Sequence, residues 1–103
     1  MTVEHWDESK DGPLTELTLR RKLESLGYRV HRYVYPPGTS FPTHTHDADK
    51  MDAVVSGQFR ITMADGSVVL GAGDAARVPS GLRHSAEVVG AEEVVSLDGV
   101  KVF

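Results

Sequence analysis

No cysteine occurs among the 103 residues. Disulfide scaffolds, thiolate nucleophiles and cysteine-based zinc sites are therefore excluded. No apolar run approaches the ~20 residues that a membrane-spanning helix needs. No basic patch stands out either. Eleven Lys and Arg face fifteen Asp and Glu, a net charge of -4, which favours solubility and argues against a nucleic-acid partner. The one basic cluster, Arg20-Arg21-Lys22, reads as the solvated face of a helix. Aromatic residues are scarce, and the single tryptophan, Trp6, lies in a polar opening segment where such a side chain usually docks on something. That opening, polar and acidic, does not resemble a signal peptide. The expectation is a cytoplasmic protein with no membrane partner. The length suits one compact domain, small enough that a partner subunit or a bound metal commonly adds stability.

What is present is mostly strand signal. Residues 1–13 read as a loose arm or a short lead-in, broken at Gly12-Pro13. Thr15 to Leu26 is the one predicted helix. Thr15 suits the N-cap and Glu16 the first turn; Leu19, Leu23 and Leu26 share a face, and Gly27 ends it. Beyond Gly27 the pattern is short strands separated by glycine turns: Tyr28–Tyr35, Ala53–Ser56, Phe59–Met63, Ser67–Leu70, Ala75–Val78, His84–Val89 and Glu93–Leu97. Asp65-Gly66 is a hairpin signal. Asp98-Gly99 reads as a last turn before Val100–Phe103. Such spacing predicts a mainly β sandwich or barrel of six to ten strands. The division is residues 1–27 as arm and helix, and 28–103 as barrel.

Chemistry concentrates in His44-Thr45-His46. In a strand, residues i and i+2 share a face, so both imidazoles would point one way, as a metal requires. The spacing around them carries more. Gly38-x5-His44-x-His46-x3-Lys50-x6-Gly57 is followed by Gly73-x5-Pro79-x-Gly81-x2-His84-x3-Val88. Over Gly38–Val88, about half the chain, the sequence resembles the cupin superfamily, whose two motifs run G-x5-H-x-H-x3,4-E-x6-G and G-x5-P-x-G-x2-H-x3-N. The resemblance implies a double-stranded β-helix, or jelly-roll barrel, with one short N-terminal helix. It implies His44, His46 and His84 converging on a divalent metal (Zn, Fe, Ni, Cu or Mn), and a homodimer.

Two positions depart from that pattern. Val88 replaces the Asn, a minor change. Lys50 replaces the Glu, which is a metal ligand in many cupins; a charged lysine cannot ligate and repels a cation. Three resolutions stand open. Three histidines alone hold the metal, with water completing the shell. Asp52 substitutes as a ligand, with Asp47 and Asp49 other carboxylates near the loop. Or no metal binds, and Lys50 with Asp52 forms an ion pair able to act as acid or base. The function these residues suggest is a metal-binding cupin with a small-molecule pocket, an oxygenase, isomerase or hydrolase with Lys50 and Asp52 as catalytic groups. The alternative is a non-catalytic small-ligand sensor module. His31 reads as surface rather than barrel-lining, Tyr33 as core with pocket lining as the alternative, Arg77 and Arg83 as surface charges, and Met51 and Met63 as core fillers.

Overall fold

The computed structural model describes residues 1–102. Nine strands and two helices follow in the order β1 (Val3–Glu4), α1 (Glu8–Asp11), α2 (Glu16–Ser25), β2 (Tyr28–Tyr35), β3 (Ser40–His44), β4 (Lys50–Ser56), β5 (Gln58–Met63), β6 (Gly66–Leu70), β7 (Ala75–Val78), β8 (His84–Val89) and β9 (Val94–Lys101). They form two antiparallel sheets, β1-β7-β4-β9-β2 and β3-β8-β5-β6. The sheets share a core that draws Val54, Ala76, Val78 and Val94 from one and Phe59, Ile61, Met63, Leu70 and Val88 from the other. This is the jelly-roll barrel. Val88, which stands where the family pattern has Asn, is one of those core residues.

The five-stranded sheet is covered on both faces. Along β4, Lys50, Asp52 and Val54 look into the barrel, while Met51 and Ala53 pack outward under α2 with Leu19, Leu23, Tyr28, Val30 and Leu97. The period of two is intact, but its polar members point inward. That inversion explains why β4 begins at Lys50, three residues before the expected Ala53.

α2 forms as its sequence dictates. Thr15 Oγ1 accepts from Thr18 N at 3.0 Å, and Thr18 Oγ1 accepts in return from Thr15 N at 2.9 Å. This is a capping box in which threonine stands for the usual Glu. Leu19 and Leu23 are buried, but Leu26, at the C-cap, is exposed. Gly27, at φ 94°, turns the chain into β2.

Three expectations need correction. Residues 1–13 are not a loose arm: Val3 pairs with Ala76, so β1 extends the larger sheet, and Asp7 caps the extra short helix α1. Trp6 docks on its own barrel, its Nε1 donating to Gly12 O at 2.9 Å. A Cβ on Gly73 (φ 85°) would come within 2.7 Å of Trp6 Cβ, so this motif glycine makes room for the arm. Asp98-Gly99 is not a turn: both lie inside β9, paired with His31 and Val30. Gly99 is there because a side chain would press on Tyr28 Cβ at 3.0 Å and Met51 O at 3.2 Å, a close approach rather than a bend. The hairpin signalled by Asp65-Gly66 also turns one residue early, with Met63 paired to Gly66 across Ala64-Asp65. Phe103, the end of the last expected strand, lies outside the described residues.

Candidate metal centre

β3 and β8 bring the histidines together. His44 and His84 are direct cross-strand partners, and His46 follows two residues after β3 closes. The β3 ladder is irregular between Phe41 and His44, where Pro42 has no N–H to donate. Backbone carbonyls two residues earlier fix two of the rings. His44 Nδ1 lies 2.6 Å from Pro42 O, and His84 Nδ1 lies 3.0 Å from Leu82 O. A carbonyl only accepts, so each Nδ1 carries a proton, which leaves Nε2 as the ring nitrogen that can face a metal. Orienting ring contacts of this kind are typical of metal-ligating histidines.

The donors converge. One ligand atom from each of His44, His46 and His84 lies within 4.8 Å of the others, and the His44 and His46 Nε2 atoms are 3.1 Å apart. Burial first, then Lys50 and the neighbouring histidines, lower the pKa of His46. Burial likewise lowers that of His84, against the opposing hydrogen bond to Leu82 O, with His44 and Lys50 adding to the decrease. Both rings thus stay neutral at neutral pH, as ligation requires. The donor set fits a divalent ion such as zinc or iron, with room for further ligands.

The facing wall holds the other expected residues. Lys50 Nζ donates to Asp98 Oδ2 at 2.8 Å, and the two side chains are only 13% and 16% exposed. The residue in the family's Glu position is therefore occupied by an ion pair across the sheet. Asp52 lies opposite Asp98 in the β4–β9 ladder. Burial, then the Asp98 carboxylate, push Asp52 up to about 7, with Lys50 opposing. Among the described residues, Asp52 does not join the histidine cluster, nor do Asp47 and Asp49. Asp49 is instead structural, its Oδ1 accepting from Ser80 N at 2.7 Å and its carbonyl from Lys101 N at 2.8 Å.

Between the walls lies a cavity of about 300 Å³. Tyr35, Phe41 and Phe59 form its apolar side, with Tyr35 packed on Phe41 at 5.0 Å and on Phe59 at 5.5 Å between ring centroids. Burial, with Asp98 and Asp52 nearby, pushes the Tyr35 phenol up to about 12, so it remains a donor. Tyr33 lines the mouth rather than the core and is half exposed. His31 is exposed, as expected, but sits in register with Asp98. Sequence reasoning missed Asp98 outright. The one signal for it was the Val-rich run on both sides of Asp98-Gly99, which is better read as one strand than as two.

A cupin-domain family model matches residues 31–100, and the chain belongs to the cupin family. Among solved structures, oxalate decarboxylase of Bacillus subtilis, a protein with Mn(II) centres, aligns at 26% identity and a TM-score of 0.64 over 73% of this chain and 22% of that one. A cupin-like protein of Thermotoga maritima aligns at 21% identity, TM-score 0.65, over 73% of this chain and 57% of that one. The DMSP lyase of Ruegeria pomeroyi aligns at 22% identity, TM-score 0.66, over 74% and 39% respectively. The chain thus spans well under two thirds of each of these proteins, and the last two share the fold alone. No curated protein matches the sequence. Among the described residues, no helix is long and apolar enough to cross a membrane.

Proposed function

We propose that this cupin holds one divalent metal ion on His44, His46 and His84 and acts through it on a small molecule in the adjoining cavity. The observation that carries the reading is the fixing of His44 and His84 by the carbonyls of Pro42 and Leu82, which turns both Nε2 atoms toward one point beside His46. The Mn(II) centres of the oxalate decarboxylase relative support it. Bound there, the ion would supply Lewis-acid polarisation of an oxygen on the ligand, chemistry shared by oxygenases, isomerases and hydrolases. Lys50 and Asp52 face the cavity from the opposite wall. Lys50 is held by Asp98, so it orients charge, while Asp52 is the group placed to exchange a proton.

Elemental analysis of untagged protein tests the proposal, alongside a His44/His46/His84 triple alanine variant. About one metal per chain, lost in the variant, is the expected outcome. Iron would direct assays to oxygen chemistry and zinc to hydrolysis or isomerisation. Equal metal content in both proteins would end the metal reading.

One observation favours a second reading, a ligand-binding module without turnover. The Lys50–Asp98 pair closes on itself where many relatives supply a further metal ligand. Tight small-molecule binding with no product would support that reading. The free edge of β2, with Tyr33 and Val34 exposed, supports pairing of two copies, which light scattering would measure. The lack of cysteine suits a cytoplasmic setting.

A further inference from the structure

The wall opposite the histidines carries two carboxyl groups and only one cation bonded to them. Asp52 and Asp98 are cross-strand partners on the face that looks into the barrel. Side chains so paired are close neighbours, and two like charges there are unfavourable. Lys50 Nζ donates to Asp98 Oδ2. The other oxygen, Oδ1, is equally near the ammonium at 2.8 Å, yet it is buried and has no aligned hydrogen-bond donor among the described residues. A buried acceptor left without a donor is costly. The Asp52 carboxyl lies within hydrogen-bonding reach of Asp98, and a protonated Asp52 would supply the missing donor.

We propose that Asp52 and Asp98 hold a single proton between them at neutral pH, and that this Asp52–Asp98–Lys50 unit is the proton donor and acceptor of the pocket. The shared proton follows from the geometry of the wall alone; its role in chemistry rests on the pocket reading given above. With one proton shared, one ammonium and one carboxylate remain, and the wall is electrically neutral. A small organic oxyanion can then occupy the cavity without meeting net negative charge on that side. In donation, the proton leaves Asp52 Oδ for a basic oxygen or carbon of the ligand and Asp52 becomes a carboxylate. The unit is restored when Asp52 takes a proton back from the product or from water.

The surrounding groups are consistent with this count. On β4 the only other inward charge is Lys50. On β2 the inward row is Arg29, His31, Tyr33 and Tyr35, with His31 exposed beside Asp98. β7 presents Ala76 and Val78, which carry no charge. From the opposite sheet, His44, His46 and His84 line the same cavity. Burial and the Asp98 charge push Asp52 upward more than Lys50 lowers it, the usual behaviour of a carboxyl pair sharing one site.

The test is a carboxyl ¹³C NMR titration of the full, metal-free chain, with Asp52→Asn and Asp98→Asn used for assignment. The expected result is one aspartate signal with a midpoint near pH 7 that disappears in D52N. In D98N the Asp52 midpoint should fall by at least one pH unit. Lys50→Met offers a second check that leaves both carboxyls in place, and there the midpoint should rise. Both aspartates titrating below pH 5, or an Asp52 midpoint unmoved by D98N, would overturn the proposal. A chain that binds no metal yet shows the midpoint keeps this proposal and loses the metal reading. A chain that binds metal through its histidines but has both aspartates ionised at pH 6 does the reverse.

Discussion

On one wall of the cavity, the β3–β8 pair presents imidazoles that are held by carbonyls two residues earlier in the chain. On the other, β4 and β9 present an ammonium and two carboxyls that hold one another across 48 positions of sequence. The first wall is organised locally, the second by tertiary pairing. Burial favours the neutral form of His46 and His84 on the first wall, whereas the second balances charge against charge. The difference teaches where each kind of site is vulnerable. Loss of a histidine removes a ligand and, at buried His84, some packing, while loss of one partner on the charged wall forces the remaining charges to rebalance in the interior.

The largest expected effect tests the first wall. His84→Ala should abolish stoichiometric zinc binding, a loss well above the 10–100-fold that follows removal of a mere orienting contact; isothermal titration measures it. Stability of the metal-free chain should change far less. If unfolding and metal loss instead arrive together, the histidine wall is not the independent unit described.

Next comes the charged wall. Asp98→Ala removes the bonded partner of the Lys50 ammonium; breaking a buried pair costs about 3–5 kcal/mol, and ionisation of the neighbouring Asp52 should offset part of that. Urea denaturation should show this, and the Lys50→Met/Asp98→Leu double variant should recover most of it, because apolar replacement of a buried pair is often neutral. Equal losses in single and double variants would mean that packing, not charge, matters there.

Gly99→Ala should cost about 1–3 kcal/mol through overpacking, since its Cβ would meet Tyr28 and Met51. A neutral result would favour a turn at Asp98-Gly99 over the continuous β9.

The pH dependence of stability separates the walls by sign. The folded pKa of Asp52, about 7, lies above its ordinary 3.8. The fold therefore retains a proton that the unfolded chain releases, so this contribution is full below about pH 4 and is lost as pH rises to about 7. His46 and His84 are lowered from 6.5. The unfolded chain binds their protons first, so their contribution is lost as pH falls below that value. Asp52→Asn should thus gain stability relative to the parent between pH 5 and pH 8 in the metal-free state. Parallel urea curves at both pH values would contradict the raised pKa.

The same contrast explains what the sequence made legible. The histidines announced themselves because their spacing is local: His44 at the end of one strand and His46 two residues beyond it, then a glycine- and proline-marked loop leading to His84. Lys50 and Asp52 were visible as a departure and a same-face neighbour. Asp98 was hidden, because Asp-Gly is ordinarily turn chemistry and only the packing of Tyr28 and Met51 reveals why a glycine belongs inside β9. The β4 start was missed because charged residues on a barrel's inner face invert the usual alternation. α2 was read closely, since its caps and leucine face lie within one short segment. The arm was not, because its order comes from β7 and from the gap that Gly73 leaves for Trp6.

The most direct test is a zinc-soaked crystal structure with anomalous scattering at the zinc edge. One peak is expected, bonded to nitrogens of His44, His46 and His84 at about 2.0–2.1 Å, with Lys50 still paired to Asp98. No peak at the histidines, or a peak ligated by Asp52 with Lys50 displaced, would contradict the three-histidine site.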